Sequence, residues 1–286
     1  LNHKGLVNDL TLPVFYVDGR FVPESRAFVG VSDLGLLRAY GVFDYTRTYN
    51  REPFRLNDHL ERLQNSAKLI ELPLPWSRDQ LAKFVRRTLD RNPTGEKSVR
   101  IVVTGGESPD SYTPVGRPKL IIMVKPIHIY PKVVYTQGVK VITFPGRREI
   151  PEAKTLNYSQ AIRALRRARQ EGAEEALYVY DGMVSECMVC SFFGVRDDTI
   201  ITAGTGVLNG ITRKTVLELT NGRMPVDYRN VAMSEIPSLD EAFLTSSGHE
   251  VVPIVKIDQT TIGEGKPGPL TKEIIRLFSE YARKKK

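Results

Sequence analysis

The 286-residue chain has only two cysteines, no run of about 18 apolar residues and no internal repeat. So few cysteines rule out a disulfide framework, and the missing apolar run rules out a membrane-spanning helix. Cys187 and Cys190 do have the Cys-x-x-Cys spacing of redox and zinc sites. No second pair exists, and His3, His59, His128 and His249 are all remote in sequence, so no metal-ligand set emerges. Alternation through Val184, Glu186, Met188 and Cys190 predicts a strand here, not the helix start at which a redox pair gains a reactive thiolate. Two buried thiols in a reducing, cytoplasmic setting are expected. The polar opening, residues 1–5, has no signal-peptide apolar core, which agrees with that setting.

What is present is an ordinary globular composition, 41% apolar and 26% charged, in a chain long enough for two cores. The net charge of +8 raises the question of nucleic acid. Its distribution argues against that partner. Lys284, Lys285 and Lys286 form a terminal run, and Arg163, Arg166, Arg167 and Arg169 share the polar side of one predicted helix, so a frayed end and a solvated face account for much of the excess.

The pattern of elements predicts a mixed first half and a sheet-rich second half. Residues 15–22 read as a hairpin about Asp18-Gly19. Residues 42–49 alternate as a strand. A helix capped by Asn57 or Asp58 carries Leu60, Leu63, Ala67 and Ile70 inward, which leaves Arg62 toward a flank. Ser77 and Gln80 form a capping box for a helix through Leu89. Strands follow at 100–104 and 119–124. Prolines at 126 and 131 bound a segment that resists regular structure, which sets the expected division: a small domain over 1–126, a linker over 127–133 and a large domain over 134–286. Beyond it come a strand at 139–144, a helix with Ala161, Ile162, Leu165 and Ala168 on one face ending at Gly172, strands at 176–180, 183–195 and 199–202, a helix capped by Thr212, and a terminal helix carrying Ile274, Ile275, Phe278 and Tyr281.

Three groups in the second half suggest a common purpose. Lys154 precedes a helix in a stretch without another cation. Glu186 interrupts a weakly polar strand, where a buried carboxylate would need a partner. Gly210-Ile211-Thr212 opens a helix, whose unpaired N–H groups and dipole suit a phosphate. Arg62 could add a charge-assisted bond. An amine for an imine, a carboxylate to keep a ring nitrogen protonated and a phosphate cradle are what a protein needs to hold pyridoxal 5′-phosphate. Singly, each has a plainer reading: a surface lysine, a solvent-facing strand residue, a common helix start and a solvated arginine.

Together with their surroundings these residues resemble a known family. Lys154-x-x-Asn157-Tyr158, Val184-Ser185-Glu186 followed by Ser191-Phe192-Phe193, Asn209-Gly210-Ile211-Thr212-Arg213 and Asp58-His59-x-x-Arg62-Leu63 are similar, in order, to fold-type IV pyridoxal-phosphate enzymes. That family includes D-amino-acid transaminases, branched-chain aminotransferases, (R)-selective amine transaminases and aminodeoxychorismate lyases. The resemblance implies a small N-terminal α/β domain, a larger domain with a barrel-like sheet, and a homodimer using amino acids and 2-oxo acids such as 2-oxoglutarate or pyruvate. It makes Lys154 the catalytic lysine and Glu186 the ring-nitrogen partner. Tyr158 would bond the ring hydroxyl, and Arg62, Ile211, Thr212 and Ser247 would hold the phosphate. Arg38, Phe43, Arg100, Gly248 and His249 would contact substrate.

Substrate choice is less sharply implied. A carboxylate clamp of Arg and His common in D-amino-acid transaminases is replaced here by Asp110 and Tyr112. Arg100 matches a branched-chain pattern, but Ser98 stands where that pattern has tyrosine. Arg38 resembles the arginine of a less common D-amino-acid set, some members of which also carry an arginine at the position of Ser185. The implied activity is transamination with D-amino acids slightly favoured over branched-chain L-amino acids.

Overall fold

The computed structural model describes residues 12–284. The polar opening and Lys285 and Lys286 lie outside them. The chain divides into two compact units: Leu1–His128 with Ala153–Asn157, and Ile129–Glu152 with Tyr158–Lys286. The Lys154 segment thus groups with the first unit, although it follows the proline-bounded stretch in sequence.

The first unit is built on β1 (Val14–Val17), β2 (Arg20–Pro23), β3 (Gly41–Tyr49), β4 (Glu52–Pro53), β5 (Lys97–Thr104) and β6 (Lys119–Pro126), in the order β2-β1-β6-β5-β3-β4. Every pairing is antiparallel. The first hairpin turns where expected, with Asp18 and Gly19 at φ of 43° and 94°, the doubly left-handed turn that Asp-Gly favours. Helix α1 (Leu34–Arg38) is short, and α2 (Leu56–Leu69) and α3 (Arg78–Asp90) supply Leu56, Leu60, Leu63, Leu81 and Val85 to a core shared with Val99, Ile101 and Ile122. The capping box of Ser77 and Gln80 is present.

Three expectations for this unit are corrected. Helix α2 starts before Asn57 and Asp58. Arg55 occupies the cap position in left-handed conformation, and Asp58 sits in the first turn, ion-paired to Arg55 near the positive end of the helix dipole. Arg62 does not lie on an exposed flank; only 8% of it is accessible, because a carboxylate on β3 draws it inward. Strand β3 is buried on nearly every residue and does not alternate. Residues 154–156 add to its edge, with Phe43 N–H donating to Lys154 O at 2.9 Å and Leu156 N–H to Gly41 O at 3.0 Å. Gly41 is required there. A Cβ would meet Leu156 Cδ1 and Val103 O, each at 2.6 Å.

The second unit carries helix α4 (Lys132–Thr136) and a ten-stranded mixed sheet: β7 (Val139–Pro145), β8 (Glu175–Tyr180), β9 (Met183–Cys187), β10 (Ser191–Arg196), β11 (Thr199–Thr202), β12 (Val226–Tyr228), β13 (Val231–Ala232), β14 (Glu241–Ser246), β15 (Glu250–Ile257) and β16 (Thr260–Thr261). Its order is β12-β11-β10-β14-β15-β7-β8-β9-β13, with β16 on β15. Helix α5 (Ser159–Gln170) links the parallel pair β7 and β8, packing Ala161, Ala164 and Ala168 inward while Ile162 is 66% exposed. Its four arginines are exposed, as the charge pattern implied.

The single strand expected over 183–195 is two strands. Cys187 N–H donates to Cys190 O at 2.9 Å, closing a tight turn between β9 and β10 that period-two alternation cannot register. Both cysteines are buried and not joined by a disulfide, and burial pushes the Cys187 thiol well up. Thr212 lies inside the first turn of α6 (Ile211–Thr220), and Gly210 takes the cap position. In α7 (Pro269–Arg283) the buried stripe is Ile274, Leu277, Phe278 and Ala282; Tyr281 is turned outward.

Candidate active site

In the first unit the backbone of Lys154 is fixed before its side chain does anything. Edge addition to β3 is reinforced by Lys154 N–H donating to Ser66 Oγ of α2 at 3.0 Å. Only 8% of the residue is accessible, and Nζ stands 4.6 Å from the centroid of the Phe43 ring. The guanidinium of Arg100, across the β3–β5 pair, lies 5.0 Å from that same ring and 5.6 Å from Tyr45. Two cations thus stand over the Phe43 ring, whose negative π-face attracts them. Arg38, at the end of α1, stacks at 4.3 Å over Tyr112. Asp110 is occupied locally: its carboxylate accepts from Ser108 Oγ, Tyr112 N–H and both donors of Thr113, which hold it well below the usual carboxylate range.

Beneath Phe43 is a charged cluster. Asp44 accepts Nε and Nη2 of Arg62 at 2.9 and 2.8 Å and pairs with His59 Nδ1 at 2.6 Å. Burial alone would push the Asp44 carboxyl up, and Arg62 and His59 together overcome it, so the group stays ionised far into acid. His59 is pushed down, chiefly by burial, and is neutral near pH 7.

In the second unit Glu186 is 3% exposed on β9. Arg148 Nε lies 3.3 Å from its Oε1, and Leu208 N–H donates to Oε2 at 3.4 Å. The Arg148 guanidinium is also 5.9 Å from the Tyr158 ring, so it links two of the residues singled out in the sequence. Arg148 itself was not among them, because nothing in the run Gly146-Arg147-Arg148 separates a buried arginine from an exposed one. Helix α6 begins without a side-chain cap, which leaves the first-turn N–H groups of Ile211 and Thr212 outside the intrahelical ladder. Ser247 and Gly248 form the turn between β14 and β15. His249 beside them contacts Ser246 Oγ at 3.0 Å, Cys190 Sγ at 3.9 Å and Glu174 at 3.5 Å, and its ring lies 4.2 Å from Tyr130.

A family model described as class IV amino-transferase matches residues 41–257. The chain belongs to the class IV aminotransferases. This aminotransferase is 32% identical to the D-alanine aminotransferase of Bacillus licheniformis over 90% of its own length and 93% of the relative's. It is 30% identical to a putative branched-chain-amino-acid aminotransferase of Methanocaldococcus jannaschii over 94% and 96%. Among solved structures, the branched-chain aminotransferase of Thermoproteus uzoniensis with norvaline superposes with a TM-score of 0.87, at 30% identity and 94% coverage of both chains. The fold is that of fold-type IV, the enzyme is a transaminase, and its cofactor is pyridoxal 5′-phosphate. The donor set fits that group: a scarcely exposed amine, a buried carboxylate with a cation beside it, a phenol, and an uncapped helix start.

Proposed function

We propose that this aminotransferase moves the amino group of an amino acid to a 2-oxo acid with Lys154 as its catalytic lysine, taking D-amino acids in preference to branched-chain L-amino acids. The observation that carries the reading is the approach of Lys154 Nζ and the Arg100 guanidinium to the Phe43 ring. An amine-handling group and a carboxylate-binding group near one aromatic residue suit an α-amino acid.

When bound, the cofactor supplies an electron sink for the pair released at the substrate α-carbon. Lys154 Nζ is assigned to bind it covalently, then to take up the α-proton and later release it. Glu186 holds a proton at the ring nitrogen, since a carboxylate beside that atom favours its charged form. Tyr158 bonds the ring hydroxyl. Arg62, the N–H groups of Ile211 and Thr212, and Ser247 are assigned to the phosphate. Arg38 and Arg100 orient the substrate carboxylate, and Phe43, Gly248 and His249 line its side.

The D-amino-acid reading is supported by the B. licheniformis relative and by Arg38, stacked on Tyr112 in the loop that lacks the commoner clamp. Arg100 on β5 and the branched-chain relatives favour the second reading. A half-reaction panel of D- and L-amino acids, following cofactor absorbance, separates them. Conversion by D-alanine and not L-leucine supports the first; the reverse supports the second.

A homodimer is also assigned. Phe28, Val31, Leu36 and Tyr112 are all more than 60% exposed. The segment that carries Phe28, Val31 and α1 is held beside the loop of Tyr112 by the Asp33–Glu107 bridge and by Ser108 N–H donating to Ser32 O, giving an apolar face of the kind a second subunit covers. No helix among the described residues is long and apolar enough to cross a membrane.

A further inference from the structure

Asp44 sits mid-strand in β3 with no accessible surface. Its carboxylate accepts from Tyr45 N–H at 2.7 Å as well as from His59 Nδ1 and from two nitrogens of Arg62. Stability is a weak reason for such a set in a core. Desolvating a carboxylate and a guanidinium costs several kcal/mol, and well-packed apolar residues often serve as well or better. What the set does supply is geometry. Bonds from Nε and Nη2 to the two oxygens of one carboxylate fix the orientation of the Arg62 guanidinium. His59 Nδ1 meets the same Oδ1 that accepts Arg62 Nη2, 3.4 Å from that nitrogen, and so holds the carboxylate in place beside the guanidinium. With Nδ1 facing Asp44 Oδ1, the proton lies on Nδ1, and Nε2 is buried without a hydrogen-bond partner. Because His59 is neutral, Asp44 and Arg62 remain one anion facing one cation.

We propose that Asp44 is a positioning residue for the cofactor phosphate: it acts through Arg62, presenting the guanidinium already oriented so that no ordering is needed when the phosphate arrives. This rests on the assignment of Arg62 to the phosphate made above. It predicts a loss confined to the phosphate. Ring, aldehyde and Lys154 chemistry are shared by pyridoxal 5′-phosphate and pyridoxal, so the ratio of their affinities isolates the contribution of the phosphate.

The test strips the full-length enzyme of cofactor and measures Kd for both compounds in wild type, Asp44→Asn, Arg62→Met and the double variant. Asp44→Asn is expected to lower the phosphate preference about tenfold or more, the scale of one charge-assisted bond, while pyridoxal binding stays within about threefold. In the Arg62→Met background the Asp44 change is expected to add less than about twofold, since the effect runs through Arg62. A folded Asp44→Asn protein with an unchanged preference, or one that loses both ligands equally, overturns the proposal. If Asp44→Asn does not fold, Asp44→Glu keeps the charge and displaces the carboxylate by one methylene; a lowered preference is expected, and an unchanged one overturns the inference. An unchanged preference in Arg62→Met removes the phosphate assignment itself. A lowered preference there with Asp44→Asn unaffected removes the role of Asp44 alone.

Discussion

Arg148 Nε lies 3.3 Å from Glu186 Oε1, and the two side chains are 13% and 4% exposed. Burial lowers the pKa of Arg148, but Glu186 and then Tyr158 and Tyr178 more than offset it, and the net shift is upward. The cation therefore stabilises a buried carboxylate before any ligand is present. Arg148→Met would remove the cation beside that buried charge, with an expected loss of about 2–4 kcal/mol in urea denaturation of cofactor-free protein. Arg148→Lys should lose less. In a cycle with Glu186→Gln, a coupling of about 1–3 kcal/mol is expected; additive effects would show that the pair does not act as one.

Gly41 controls how the Lys154 segment docks. Gly41→Ala forces a Cβ against both Leu156 and Val103 O, so β3 and residues 154–156 must part. About 1–3 kcal/mol of stability should be lost. A fall in kcat larger than in Gly35→Ala or another crowded glycine variant of equal stability would tie the loss to Lys154. Equal falls would tie it to stability alone.

Two buried groups should give the stability opposite pH slopes. Burial pushes the Glu175 carboxyl up to about 7, against bonds from Ala176 and Val189 N–H and the nearby His249 and Cys190. Its unfolded pKa is about 4.3, so the folded state holds the extra proton between these values, and the stability this contributes is lost as pH rises through 7. His59 is lowered, mainly by burial, so below about pH 6.5 the unfolded state takes the extra proton and stability falls with pH. Glu175→Gln should remove the first slope only. Relative to wild type, it should gain on the order of 2 kcal/mol between pH 5.5 and pH 8.5, read by denaturant melts at both. A pH-independent difference would contradict the raised pKa.

The exposed face at Phe28, Val31 and Leu36 carries the dimer expectation. Leu36→Glu places a charge on that face, where burial without a partner costs several kcal/mol. Light scattering after size exclusion should show a dimer for wild type and a shift toward monomer for the variant. A wild-type monomer would remove the assignment.

What was legible in the sequence was mostly local. The Asp18-Gly19 turn and the Ser77–Gln80 box are set by residues within a few positions of one another. Helical periodicity turns Arg62 to a flank because it carries no information about Asp44, 18 residues away on another element. The same reason hid Arg148, whose carboxylate is on β9, and the docking of residues 154–156 on β3. The break at Cys187–Cys190 is a turn made by backbone bonding inside an apolar run, which hydrophobic pattern cannot register. Lys154, Glu186 and the α6 start could be picked out because each is a polar or permissive feature where the surrounding pattern asks for none.

The most direct measurement is borohydride reduction of the purified yellow enzyme followed by peptide mapping. The expected result is a phosphopyridoxyl label on Lys154 and on no other lysine, with Lys154→Ala both unlabelled and slower in turnover by about 10³-fold or more. A label on a different lysine, or full turnover in Lys154→Ala, would contradict the account.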